Sequence, residues 1–123
     1  MHPNFPSHNL HANSAKVWIL SKSSNFDEYL VPAMQEYRKT FIFFPNLTFR
    51  EQELIHLGSD KGLIGSYKIE TDEQGEFVLI LFYQNGERAF YKVLSIKNDY
   101  LKLEDLEGEH TVWELKTLSR PVL

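Results

Sequence analysis

Glu51 and Glu53 are the carboxylates in this chain whose spacing suits acid–base work, because alternate residues of an extended strand share a face. The run around them, Leu47 to His56 (LTFREQELIH), reads more simply as a strand with a solvated outer face. His56 and His110 fall in different strand candidates, and each reads as a surface or internally satisfied histidine rather than a base or ligand. His8 and His11 have a spacing that suits a metal, but no third ligand stands near them, and they read as part of a polar arm. The triplet Asn46-Leu47-Thr48 fits the glycosylation pattern but reads as plain turn chemistry. No nucleophile elbow, phosphate loop, zinc signature or nucleotide-binding fingerprint occurs. The chain has no cysteine, which excludes disulfides, thiol catalysis and cysteine-based zinc sites. It is therefore read as a non-enzyme with no cofactor.

Composition narrows the partners. The formal net charge is −4 and no basic run interrupts it, so neither nucleic acid nor an anionic membrane surface is expected. No stretch approaches the ~18 apolar residues of a membrane span. Aromatic residues make up 14% of the 123 residues, enough for one sizeable core filled by large flat side chains. Residues 1–15 lack the basic start and apolar centre of a signal peptide. They read either as a true start or as the remnant of a processed signal behind an added Met. The compartment stays open accordingly: cell envelope or secreted in the second case, cytoplasmic otherwise.

The elements that must position any site are strands. Residues 1–15, with Pro3 and Pro6 and no periodicity, are expected as a flexible arm before a single domain over 16–123. Lys16 to Lys22 alternates as a first strand. Residues 24–37 hold Phe26, Leu30, Met34 and Tyr37 at helical spacing around Pro32, which predicts a short helical turn or ordered loop. From Arg38 onward the period is two. Strand candidates run over Lys39–Phe44, Leu47–His56, Leu63–Glu70, Glu76–Tyr83, Glu87–Ile96, Tyr100–Asp105 and Glu109–Leu118, with short links. Asn85-Gly86 predicts a two-residue type I′ hairpin. About eight short-linked antiparallel strands remove their edges by closing, so the expected fold is an all-β, up-and-down, eight-stranded barrel, with a two-sheet sandwich as its rival.

Period-two phasing predicts the interior. Trp18, Leu20, Phe41, Phe43, Phe49, Tyr67, Phe77, Leu79, Leu81, Tyr83, Tyr91, Val93, Leu101, Leu103, Trp113 and Leu115 should point inward. An eight-stranded barrel is just wide enough to be filled by side chains or to hold one small ligand, and both readings stay open. The hydroxyls of Tyr67, Tyr83 and Tyr91 need partners, since an unpaired buried hydroxyl costs about 1–3 kcal/mol. The opposite face of the 76–83 strand places Val78, Ile80 and Phe82 outward. Either residues 24–37 or a second chain, as in a homodimer, should cover them.

The strand residues also resemble a known group. Trp18 on the first strand, Thr40-Phe41-Ile42-Phe43 with Pro45-Asn46 and Thr48-Phe49, Gly65-Ser66-Tyr67-Lys68-Ile69, Tyr91-Lys92-Val93-Leu94-Ser95 and Tyr100-Leu101-Lys102-Leu103 are similar to the strands of small bacterial lipocalin-like (calycin-type) domains. The resemblance covers roughly residues 16–118. It departs from the larger lipocalins at Lys16, where they carry glycine, and in having no disulfide and no long C-terminal helix. It implies a calyx, often exported or lipid-anchored in the envelope, that binds a small hydrophobic molecule, with residues 24–37 as lid or flank and Arg120 stacked over Trp18. The ligand contacts would be Phe41, Phe43, Tyr67, Leu79, Tyr83, Tyr91, Leu101 and Trp113. The alternative is a filled barrel that serves as an interaction or structural module through the Val78, Ile80 and Phe82 patch.

Overall fold

Alternating apolar and polar residues give each strand one face for the core and one for water, and eight such strands close on themselves here. The computed structural model describes residues 5–12, 15–23 and 38–117. A helix α1 (Ser7–His11) precedes β1 (Lys16–Ser23), β2 (Lys39–Phe43), β3 (Thr48–Glu53), β4 (Leu63–Thr71), β5 (Phe77–Tyr83), β6 (Arg88–Ile96), β7 (Tyr100–Asp105) and β8 (Val112–Thr117), with a 3-10 turn at Leu54–His56. Every strand pairs antiparallel with its sequence neighbours, and β1 also pairs with β8, so the sheet is a closed up-and-down barrel. No helix among the described residues is long and apolar enough to cross a membrane.

The strand directions sort the connections into two ends. The β2–β3, β4–β5 and β6–β7 turns lie at one end with α1. The β3–β4, β5–β6 and β7–β8 connections lie at the other, where the chain also leaves β1 at Ser23 and enters β2 at Lys39. This second end is called the mouth below.

The α1 end is plugged. Residues 5–12 fall within the stretch expected to be a flexible arm, yet Phe5 and Leu10 belong to the core, and Phe5 meets Phe77 edge to face at 5.1 Å. Trp18 is fully buried, and its indole N–H donates to the Leu10 carbonyl at 3.0 Å. Lys16 ties the same end together. Its ammonium donates to the Asn9 carbonyl at 2.8 Å and to the Asn98 backbone carbonyl, and lies 5.0 Å from the Trp18 ring. The cation over Trp18 is thus the residue that departs from the lipocalin glycine. Arg120, expected in that place, lies outside the described residues, as do residues 24–37.

The interior follows the period-two phasing closely. All sixteen expected inward residues lie in the core or pack against it. Two β-bulges add residues that phasing could not reach. The register shifts between Leu20 and Lys22 and between Val93 and Ser95. Each extra residue reverses the alternation beyond it. Ser23 is therefore buried and Ile96 packs on the core, while the bulged Leu94 is 42% exposed.

The hairpin at Asn85-Gly86 also differs from the two-residue form. The Gly86 N–H donates to the Tyr83 carbonyl and the Tyr83 N–H to the Glu87 carbonyl, which makes Gln84–Gly86 a three-residue loop. Only Gly86 takes a positive φ, +94°, where a type I′ turn needs two such residues. The Asn85 side chain accepts from the Glu87 N–H at 2.9 Å, which favours the longer loop. At Asn46-Leu47-Thr48 the reading as turn chemistry fits the geometry, since Asn46 Oδ1 accepts from the N–H and hydroxyl of Thr48.

The outward residues of β5 stand among long side chains of β4 and β6, while residues 24–37, expected to cover them, lie outside the described residues. Val78 and Ile80 are buried. Val78 pairs with Glu70 and Lys92, and Ile80 with Lys68 and Phe90, whose long side chains lie along the same outer face. Lys68 Nζ and Arg88 Cζ stand 5.6 and 5.4 Å from the Phe82 ring. Ion pairs Lys92–Glu76 at 2.6 Å and Lys68–Glu70 at 2.7 Å hold the flanking cations in place. Phe82 remains half-exposed.

Candidate functional site at the barrel mouth

Aromatic rings run through the interior as a connected stack. Phe43 meets Tyr67 at 5.1 Å and Phe49 at 6.4 Å. Phe49 meets Tyr83 at 5.2 Å. Phe41 lies 5.9 Å from Phe43 and 6.4 Å from Trp113, and Trp113 lies 5.2 Å from Tyr91. Of the eight expected ligand contacts, Phe43, Leu79 and Leu101 are fully buried inside. Tyr67 is buried with them, and its hydroxyl is spent on the Phe44 carbonyl at 2.7 Å. Burial pushes that phenol up to about 12. Phe41, Tyr83, Tyr91 and Trp113 instead rise toward the mouth, where Trp113 and Tyr83 are only partly buried.

The polar residues at this mouth were not read as site residues. Glu51 pairs with Phe41 in the sheet, and its side chain, 16% exposed, turns inward with Phe49 rather than to a solvated outer face as expected. Its carboxylate accepts the Tyr83 hydroxyl at 2.5 Å and lies 4.0 Å from Lys39 Nζ. Lys39 shares the inward face of β2 with Phe41, and its ammonium sits 4.6 Å from the Trp113 ring. Asp105 pairs with Tyr91 across β6 and β7. Burial raises the Tyr83 phenol far above its ordinary range, and the bond to Glu51 raises it further. Burial does the same to Tyr91, helped by the nearby carboxylates of Asp105 and Glu51. Both phenols are therefore neutral donors at any physiological pH. Among the described residues the Tyr91 hydroxyl has no hydrogen-bond partner.

Beside this cluster a cleft of about 290 Å³ opens between β3 and the 54–62 connection, lined by Lys39, Glu51, Gln52, Glu53, His56, Gly62 and Leu63. Gln52 holds the connection down, donating from Nε2 to the Ser59 and Lys61 carbonyls at 2.9 and 2.7 Å. Its Oε1 is buried and has no partner among the described residues. Glu53 and His56 thus meet Glu51 at one cleft; the two carboxylates share the inward face of β3, and Gln52 between them points to the opposite face. His110, by contrast, pairs with Glu104 at 3.1 Å on the outer surface. His8 and His11 lie at the α1 end, and no group of three or more metal-ligating side chains occurs among the described residues.

A second, larger groove of about 620 Å³ lies on the outer wall over β3, β4 and β5, where Phe44, Arg50, Ile64 and Phe82 meet. Alternation alone could have placed Lys39 beside Phe41 and Glu51 beside Phe49; the signal was in the phasing, and the polarity of the two residues outweighed it. No protein-family model matches the chain, and neither does any curated protein or solved structure.

Proposed function

We propose that the protein is a non-enzymatic, lipocalin-like binding protein that takes a small hydrophobic molecule at the mouth of its barrel. The observation that carries this reading is the change in character along the aromatic stack. Its lower part is ring against ring, whereas Trp113 and Tyr83 at the top are partly open and stand beside the Lys39–Glu51 pair and a cleft of about 290 Å³. Apolar walls with a few converging polar groups are the usual make-up of a small-molecule site. The ligand rests on Phe41, Tyr83, Tyr91 and Trp113, while Phe43, Tyr67, Leu79 and Leu101 form the packed floor beneath it. Native mass spectrometry of the protein purified from its own source tests this, because a retained small molecule adds a discrete mass. A clean apo mass, together with unchanged Trp113 fluorescence in the presence of small aromatic probes, removes the reading.

A filled barrel acting as an interaction module is the second reading. It is favoured by Ile64, 39% exposed, which lines the outer groove with Phe82. Val78 and Ile80, already covered, are not part of that surface. Sedimentation of the protein beside an Ile64→Glu variant discriminates: self-association that the variant abolishes supports a homodimer through this wall, and two monomers count against it.

A further inference from the structure

We propose that the mouth is an ammonium site, so that its ligand is a small amine with an apolar body; this rests on the binding function proposed above. Three observations carry it. The groups converging on the rim are acceptors: the largely buried Glu51 carboxylate, Glu53 beside it and Asp105 opposite Tyr91. The open face of the site is an indole, the ring that attracts cations best. Finally, the site already holds an ammonium group of the chain itself. Lys39 Nζ stands 4.6 Å from the Trp113 ring and 4.0 Å from Glu51, outside hydrogen-bond distance of the carboxylate.

Lys39 therefore occupies the site loosely and on a flexible stem, and a ligand amine displaces it. The incoming ammonium takes the indole face, and its N–H groups reach Glu51. Its apolar body lies against Phe41 and Tyr91. An anionic head group would meet Glu51 and Glu53 at close range, with Lys39 the cation that faces it.

Three probes with the same phenyl body and different heads test the assignment: 2-phenylethylamine, 2-phenylethanol and phenylacetate, each titrated into the full chain by calorimetry and by the indole resonances of Trp18 and Trp113. The amine is expected to bind about tenfold or more tighter than the alcohol, as a charge-assisted contact implies. The Trp113 resonance should move and that of Trp18 should not. Glu51→Gln, which keeps an acceptor for Tyr83, should erase the preference for the amine while leaving the alcohol's affinity in place. Lys39→Met, a rim change of similar length, should tighten amine binding severalfold by vacating the indole face. Equal affinities, tighter binding of the acid, or weaker amine binding in Lys39→Met overturns the ammonium assignment and leaves the binding function standing. Failure of all three probes to bind overturns both.

Discussion

The indole N–H of Trp18 donates to the carbonyl of Leu10 at 3.0 Å, and this one bond joins the barrel floor to the helix that plugs it. Trp18 is the largest fully buried side chain, so its nitrogen has no water to fall back on. Replacing it by phenylalanine removes the donor, leaves the Leu10 carbonyl without its partner and opens space. Trp18→Phe is expected to cost about 2–4 kcal/mol, combining the bond and the lost volume. Urea unfolding followed by far-ultraviolet circular dichroism measures it. A loss below about 0.5 kcal/mol would show that α1 does not depend on this contact.

Lys16 provides a separate test of the same end. Desolvation lowers its pKa, against a smaller opposing effect of Asp99, yet its donors are all spent on Asn9 and Asn98. Lys16→Met keeps the stem over Trp18 and deletes the donors. Amides of residues 8–12 should then exchange faster than in the parent, while β4–β6 amides are unchanged. Uniformly faster exchange would show a global rather than a local role.

Two glycines should respond differently to alanine. At Gly65 an added Cβ would lie 2.0 Å from the Phe82 carbonyl oxygen and 2.9 Å from the Phe49 ring, so strands β4 and β5 must part. At Gly86 the space is open and only the +94° φ is strained. Gly86→Ala is expected to cost about 1 kcal/mol and Gly65→Ala about 3 kcal/mol or more. Thermal unfolding of the two variants ranks them. The reverse order would refute the close approach at Gly65.

The phenols predict the alkaline limit of the fold. Tyr67 is pushed up to about 12 by burial, and Tyr100, through its bond to Glu114, also to about 12. A pKa raised in the folded state means that the fold favours the protonated form. Stability from these groups is complete below pH 10, the ordinary phenol value, and is lost as pH rises through about 12. Tyrosinate absorbance should therefore appear late and together with loss of circular dichroism. Complete ionisation near pH 10 with the fold intact would contradict this.

The fold was legible because its grammar is local. Strand phasing, turn residues and short links determine an up-and-down barrel without long-range information, and sixteen inward positions follow from alternation. What escaped was non-local or aperiodic. A bulge cannot be seen in a period-two pattern, so Ile96 and Ser23 were missed. Leu10 lacks any periodic partner and is recruited only because the floor around Trp18 needs a cover. Glu51 was assigned to water because it is charged, yet a barrel mouth lets an inward carboxylate keep both solvent and a tyrosine donor. Asn85-Gly86 located its turn but not its length, which the Gln84–Gly86 hydrogen bonds decide.

Closure has a mechanical consequence. A ring of strands opens at one seam, and the seams are unequal. β4 and β5 pair from Gly65–Tyr83 to Thr71–Phe77, whereas β3 and β4 pair only over Thr48–Glu51 against Leu63–Ser66, as short as the β1–β2 seam from Lys16–Phe43 to Ile19–Thr40 but, unlike it, with a glycine in the register. That short seam runs beneath the outer groove and carries Gly65, which contributes no side chain to hold it. Breathing of the barrel should begin between β3 and β4, so that the wall beside the mouth is also the place where the cylinder unzips.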